Sequence, residues 1–353
     1  MIKVGIIGAG RIGHVHGESI SKFVKNATVK TIADPFMNEK TEAWAKSLGI
    51  EKTTKDYHEI FNDPEIEAVL ICASTDQHSP LSIEALRAGK HVFCEKPDAI
   101  NVEEVLKMNR AAEKAGKTLM IMRNNRFSPA SQYAKKYIES GAMGDIYCGR
   151  CGWQRRRGIP GKGGWFTTKA QSGGGPLIDL GVHMIDLAIW LMGSPKPVTV
   201  TGSTYCKFAD SDTSDSVNSD FGDKVSGGTF DVEDLAMGTI RFDNGAQLQI
   251  EFSWASNIKQ ENRFVELRGT KSGLTWRDGD VEVFTEMHGQ GCDIHPSNLQ
   301  PEKKEHVLNL INFYDVVIDG KEPVFKPQQG IDMIKILCAI YKSAETGREV
   351  VLD

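Results

Sequence analysis

The chain has 353 residues, a net charge of −5, 40% hydrophobic residues and 25% charged residues. That length suits two domains rather than one, and the acidic balance excludes a general nucleic-acid or membrane-surface binder, which would carry a basic face. No stretch approaches the ~20 apolar residues of a membrane span, and Met1 to Ile7 already reads as a strand, so no targeting peptide is expected.

The first part alternates short apolar runs with helical stretches. Strands are expected at Val4–Ile7, Val29–Ala33, Ala68–Cys72, His91–Cys94 and Thr118–Met122. Helices are expected at Ile12–Phe23, Asn38–Leu48, Pro80–Ala88 and Val102–Ala115. This rhythm implies a doubly wound parallel sheet with helices on both faces, the Rossmann arrangement of an α/β protein. The near-continuous apolar runs fit strands buried on both sides. After Met122 the pattern changes. A helix at Ser131–Glu139, a strand at Ile146–Trp153 and a single helix at Pro176–Met192 are followed by strands at Val198–Lys207, Val232–Phe242, Ala246–Trp254, Phe264–Arg268 and Val281–Thr285. Asp243-Asn244-Gly245 is a hairpin signal. A last helix is expected near Gln329–Thr346, and Ala209–Gly228, rich in Asp, Ser and Gly, reads as a mobile surface loop. The expected division is residues 1–122, binding a nucleotide, and residues 123–353, an α+β domain with a large, mostly antiparallel sheet.

Gly8-Ala9-Gly10-Arg11-Ile12-Gly13 is a G-x-G-x-x-G directly after a predicted strand and opening a helix. Gly8 permits a tight turn, Gly10 lets backbone approach a pyrophosphate, and Gly13 allows close helix–strand packing. The helix start then presents free N–H groups to phosphate. Asp34 ends the second strand at the ~20-residue spacing of a carboxylate that accepts from ribose hydroxyls. A 2′-phosphate would meet its charge, and neither Pro35 nor Phe36 is a cationic clamp, so NAD is expected over NADP. A strand-end turn aspartate is the alternative.

Glu95-Lys96-Pro97 follows the strand His91–Cys94, at the carboxyl edge of the sheet where ligands bind. Asp179 and His183 are four apart on the predicted helix and are expected to share a face as an acid–base pair. Trp165 and Phe166 read equally as a wall for a sugar ring or a core plug. Of the basic run Arg155–Arg157, Arg156 is the candidate substrate contact. The seven cysteines are scattered, which fits reduced thiols in a cytoplasm. Cys148 and Cys151, with CxxC spacing, fall on opposite faces of a predicted strand, and no metal site is expected.

With these motifs the chain resembles the Gfo/Idh/MocA oxidoreductases. The resemblance rests on Gly8–Gly13, Ala73-Ser74-Thr75 with Gln77-His78, Glu95-Lys96-Pro97, Asn124-Asn125-Arg126-Phe127 and Gly174-Gly175-Pro176-Leu177-Ile178-Asp179-Leu180-Gly181-Val182-His183. It implies that Lys96, Asp179 and His183 form the catalytic group and that Ser74, Thr75, Gln77 and His78 lie along the cofactor. The expected cofactor set is Gly8, Gly10, Arg11, Ile12, Gly13, Asp34, Ser74, Thr75, Gln77, His78, Glu95, Lys96 and Asn124. The expected substrate set is Lys96, Arg156, Trp165, Asp179 and His183. Many relatives carry two arginines before the Phe127 position, where this chain has Asn125-Arg126, and the stretch Trp153–Pro160 differs from inositol dehydrogenases. Three successive arginines suggest a different or larger substrate.

The expected function is therefore an NAD-dependent oxidoreductase moving a hydride at a secondary carbon of a sugar, glycoside or cyclic polyol. A glycosidase using tightly held NAD as a transient oxidant, and a non-catalytic NAD-binding sensor, are the competing classes. A sensor would not need Lys96, Asp179 and His183 together. The second domain's sheet is expected to leave one apolar face uncovered, to be closed by another subunit in a homodimer or homotetramer.

Overall fold

The computed structural model describes residues 1–211, 222, 224–301 and 303–352. In chain order the first part holds β1 (Ile2–Ile7), α1 (Arg11–Phe23), β2 (Ala27–Ala33), α2 (Glu39–Ser47), β3 (Lys52–Thr54), α3 (His58–Phe61), β4 (Ile66–Ile71), α4 (Thr75–Arg87), β5 (His91–Cys94), α5 (Val102–Ala115) and β6 (Leu119–Ile121). It continues with α6 (Pro129–Glu139), β7 (Ile146–Gln154), α7 (Lys169–Ser172), α8 (Pro176–Asp179), α9 (Gly181–Leu191), β8 (Pro197–Tyr205), β9 (Leu235–Phe242), β10 (Gln247–Ser253), β11 (Asn262–Gly269), β12 (Gly273–Arg277), β13 (Asp280–Met287), β14 (Gln290–Ile294), α10 (Glu305–Asp319), α11 (Pro327–Thr346) and β15 (Val350–Val351).

The chain divides into two compact units. The first is Met1–Asn124 with Lys303–Ile331, and the second is Asn125–Glu302 with Asp332–Asp353. A division into two consecutive stretches therefore misses a return of the chain: α10 packs on α1 within the first unit. Val307, Leu310, Phe313 and Tyr314 are the buried face of α10, and Phe313 meets Phe93 of β5 at 5.5 Å between ring centroids.

The first unit's sheet has the order β3-β2-β1-β4-β5-β6, with every pairing parallel. Val4, Ile6, Val69, Leu70, Val92 and Phe93 are almost wholly buried, as a sheet covered on both faces requires. Local chemistry sets the helix ends. Asn101 accepts from Glu104 N at 2.9 Å to start α5, and Gly116 at φ 62° ends it.

The second unit's nine-stranded sheet runs β14-β13-β12-β11-β7-β10-β9-β8-β15. It is antiparallel except where β7 and β10 run parallel at its centre. Asp243-Asn244-Gly245 makes the turn between β9 and β10, with Gly245 at φ 84°. α9 packs on β7, β10 and β11. The opposite side of the sheet presents Arg150, Thr201, Met237, Gln249 and Glu251 around a shallow concavity. That surface is mixed rather than apolar, because alternate strand residues there are polar.

One expectation changes at this level and one is not tested. The single helix Pro176–Met192 is two helices, α8 and α9, broken at Leu180, and the segment Lys169–Asp179 is bent by 48° against Gly181–Leu191. Of the stretch Ala209–Gly228, residues 212–221 and 223 lie outside the described residues. Among the described residues no single helix is long and apolar enough to cross a membrane, and no three His, Cys, Asp or Glu side chains gather as a metal would require.

Candidate active site

The glycine turn is built by close approach. Gly8 has φ 100°, a conformation that L side chains rarely adopt, and a Cβ there would lie 2.4 Å from Cys72 O. A Cβ on Gly13 would lie 2.0 Å from Gly8 O, so α1 seats directly on the turn. Gly10 is different: nothing lies within 4 Å of the Cβ position. It is the N-cap of α1 and offers no side-chain cap, and Arg11 and Ile12 follow with no acidic residue in the first turn. The turn therefore leaves open space at a helix start that no N-cap side chain closes, which suits a bound phosphate.

Asp34 stands beside this turn. Its Oδ2 accepts from Ala9 N at 2.6 Å and its Oδ1 from Phe36 N at 2.7 Å. Backbone donors thus fix the carboxylate at the strand end while each oxygen keeps a further lone pair for a ribose hydroxyl. These features fit a dinucleotide.

At the ends of β4 and β5 the expected residues separate into surface and brace. Ser74 Oγ donates to Asp76 Oδ1 at 2.6 Å, and Gln77 Nε2 to Asp76 Oδ2 at 2.7 Å. Thr75 and His78 are buried. The His78 ring nitrogens sit 2.7 Å from Pro97 O and 3.1 Å from Ala73 O, so His78 ties the two strand-end loops together. Burial lowers its pKa against those two carbonyls.

Glu95 is 5% exposed and its Oε1 lies 2.6 Å from His16 Nε2 on α1. Burial opposes its ionisation, yet the bond to His16 and the positive charge of the surrounding His16, His306 and Lys96 hold its pKa down to about 2. The His306 ring, on α10, is 6.1 Å from that of His16, and burial pushes its pKa down to about 4. Lys96, half-buried, follows Glu95 and precedes a cis Pro97. Asn124 Nδ2 donates to Glu305 Oε2 at 3.3 Å, while Asn124 Oδ1 and His16 Nδ1 are buried polar atoms with no hydrogen-bond partner among the described residues.

The second unit carries the other half of the expected group. Asp179 ends α8 and His183 lies in the first turn of α9, so the two stand on either side of the break at Leu180 rather than on one continuous helix. A remote residue helps to position Asp179. Its Oδ2 accepts from Trp254 Nε1 at 2.9 Å, and Trp254 is fully buried. The start of α8 is held by Glu233, which accepts from Gly175 N at 2.9 Å, Leu177 N at 3.0 Å and Tyr341 Oη at 2.9 Å. Burial raises the Glu233 pKa against these three donors. A Cβ on Gly174 would meet Tyr341 Oη at 2.1 Å, and one on Gly175 would meet Glu233 O at 2.0 Å. Those glycines let the brace close.

The His183 ring lies 6.0 Å from Trp153, which has Arg155 and Arg263 over its ring at 5.0 and 5.2 Å. Trp165 stacks on Phe166 at 3.8 Å, both half-buried. Arg156 is exposed. Arg126 is buried in a bidentate pair with Asp186 of α9, at 2.8 and 2.7 Å. Trp254, Glu233, Tyr341, His16 and His306 escaped the sequence reading, which named Glu95 but not its histidine partners and singled out Arg156 from the run Arg155–Arg157. Gly174-Gly175-Pro176 signalled a close approach there, but not its partner.

Residues 2–122 match the oxidoreductase family with an NAD-binding Rossmann fold, and residues 131–275 match the GFO/IDH/MocA C-terminal domain. The chain is 30% identical over 352 residues to D-glucoside 3-dehydrogenase of Escherichia coli (strain K12), covering 99% of this chain and 97% of that protein. It is 29% identical over 356 residues to myo-inositol 2-dehydrogenase of Thermotoga maritima, covering 100% and 99%. Levoglucosan dehydrogenase in complex with NADH and L-sorbose is similar in structure, with a TM-score of 0.86, 26% identity and coverage of 100% and 99%.

Proposed function

Because the chain belongs to the Gfo/Idh/MocA oxidoreductases, we propose that it transfers a hydride between NAD and a secondary carbon of a sugar, a glycoside or a cyclic polyol such as inositol. Oxidation of a glucoside to its 3-keto form is one such reaction. The supporting observation is the glycine turn with its open Gly10 and fixed Asp34, in a chain whose relatives act on glucosides and inositols.

NAD, when bound, supplies the hydride acceptor. The protein's task is the hydroxyl proton and the charge left on oxygen. His183 takes the proton, since a neutral imidazole is the side chain suited to that near neutral pH. Asp179, its carboxylate fixed by Trp254, orients the imidazole or stabilises its protonated form. Lys96 donates a hydrogen bond to the substrate oxygen and stabilises developing negative charge. Asp34 repels a 2′-phosphate and favours NAD over NADP. Copies are proposed to assemble as a homodimer or homotetramer through the outer face of the nine-stranded sheet, which is mixed and not the apolar face expected from the sequence.

The test is to incubate the protein with NAD or NADP and a panel of polyols and glycosides, following reduced-nicotinamide absorbance and aglycone release. NAD-linked oxidation of at least one ring is expected, with the preference over NADP relaxed in Asp34→Ala. Aglycone release without net NAD reduction would replace this reading with a glycosidase. Tighter binding of NADP than NAD would remove the role given to Asp34.

A further inference from the structure

The run Arg155-Arg156-Arg157 places three guanidiniums in one stretch, and each has different surroundings. Arg156 is exposed, and its backbone N–H donates to Glu261 Oε1 at 2.9 Å. Arg157 Nη1 donates to Arg156 O at 2.6 Å and Ser256 O at 3.0 Å, its Nη2 donates to Asn257 Oδ1 at 2.8 Å, and its guanidinium lies over Phe208. The Arg157 fork is therefore occupied in holding its own loop.

Arg155 is half-buried, and its guanidinium makes one hydrogen bond among the described residues, from Nη1 to Gly158 O at 3.2 Å. The rest of its donor fork has no such partner. The guanidinium lies over Trp153, the ring next to His183. Its backbone N–H donates to Ser253 O, beside Trp254, whose indole holds Asp179. Burial lowers the Arg155 pKa, and the charges that oppose this are those of Asp179 and Glu261. Gly158 belongs to the arrangement, since a Cβ there would come within 2.7 Å of Arg155 Cδ.

We propose that Arg155, and not Arg156, is the specificity-determining arginine of the site, reading two neighbouring oxygens of a neutral polyhydroxylated ring. This rests on the functional reading above. A guanidinium presents paired N–H groups in a rigid plane, which suits two adjacent oxygens better than a lysine does. The surrounding charge selects among ring substrates. The charges of Asp179 and Glu261 act on Arg155, and Arg263, the second cation over the Trp153 ring, has its own partner in Asp278 at 3.5 Å, so a sugar acid or sugar phosphate would meet carboxylates beside cations that are already matched. A neutral ring can accept from the guanidinium and donate to a carboxylate.

The experiment compares wild type, Arg155→Met, Arg155→Lys and Arg156→Met with NAD present. Each is assayed on the best polyol or glycoside and on its analogue lacking the hydroxyl next to the oxidised carbon. Ring binding is followed separately by calorimetry, and folding by thermal melting. Arg155→Met should raise KM by about 10–100-fold, the range for a lost hydrogen bond from a charged donor, with kcat within about threefold. The wild type's preference for the intact ring over the deoxy analogue should collapse in Arg155→Met. Arg155→Lys should recover little of it, and Arg156→Met should keep it. If Arg155→Met does not fold, Arg155→Lys carries the same comparison. The proposal is overturned if the Arg155 variants keep the wild-type preference, or if wild type prefers a uronate or sugar phosphate to the neutral ring. A wild type that oxidises no ring in the panel defeats the functional reading itself, which is a different outcome from oxidation that is indifferent to Arg155.

Discussion

Two buried glutamates, one in each unit, are held in opposite ways. Glu95 has His16 on one oxygen and positive charge around it, and its pKa falls to about 2 despite burial. Glu233 is also buried, but its partners are two backbone N–H groups and a tyrosine hydroxyl, and burial prevails so that its pKa rises. Neutral donors satisfy a carboxylate's lone pairs without supplying opposite charge. Glu95 is adjacent in sequence to Lys96, whereas Glu233 reaches Asp179 only through the start of α8. One half of the proposed site is charged and local; the other is braced by neutral groups from afar.

The largest expected effects test whether the two halves serve one reaction. His183→Ala should lower kcat by roughly 10²–10⁴-fold, the loss of a positioned base, with NAD binding retained because the glycine turn and Asp34 are untouched. Asp179→Asn should cost less, since it alters orientation and charge rather than the transferring group. Lys96→Ala should also lose most turnover, and the double variant Lys96→Ala/His183→Ala should be less damaged than the product of the single effects. The measurements are kcat on an active ring and NAD affinity by fluorescence. Near-normal turnover in His183→Ala would shift the proton acceptor to Lys96.

Acid should separate the two glutamates next. His306 and Glu95 both have pKa values below their ordinary 6.5 and 4.5. The stability they contribute is complete above those ordinary values and is lost as pH falls, from 6.5 towards about 4 for His306 and from 4.5 towards about 2 for Glu95. Glu233 has the opposite sign: its raised pKa favours the folded state below 4.5, and that contribution is lost as pH rises through its folded value. Acidification should therefore first loosen the first unit, by up to about 3 kcal/mol from His306. Hydrogen-exchange protection factors in α1 and β5, corrected for the pH dependence of intrinsic exchange, should fall below pH 6.5, before the second unit's sheet responds. His306→Gln should flatten the upper part of that loss. An unchanged slope in this variant would show that His306 does not carry it.

The same contrast explains what was legible in the sequence. The parallel sheet could be read because most of its strands are short, nearly continuous apolar runs, and a crossover helix such as α5 carries its own caps at Asn101 and Gly116. The glycine turn could be read because Gly8 and Gly13 are required by contacts within the turn and its neighbouring strand end. The second half of the site could be located but not shaped. Asp179 and His183 look like one helical face at four-residue spacing, yet the helix breaks at Leu180. The residues that fix α8 and Asp179 lie 75 positions away for Trp254 and 58 for the Glu233–Gly175 bond. No local pattern announces such partners. The return of α10 to the first unit escaped for a related reason, because its apolar face, including Phe313, acquires meaning only from residues such as Phe93 far earlier in the chain.

The smallest expected effect isolates the remote brace. Trp254→Phe removes the indole N–H from Asp179 Oδ2 while keeping an aromatic ring in the buried site. A hydrogen bond to a charged group contributes about 1.5–3 kcal/mol, but part of this is returned when Asp179, which is only half-buried, rotates towards water. About a tenfold fall in kcat is therefore expected, with KM and NAD affinity within about threefold. If Trp254 only filled the core, the loss would appear in melting temperature and turnover of the folded enzyme would be unchanged. Trp254→His, which restores a ring N–H donor, should recover part of kcat where Trp254→Leu does not. Equal kcat values in the Phe, His and Leu variants would leave Trp254 as packing alone.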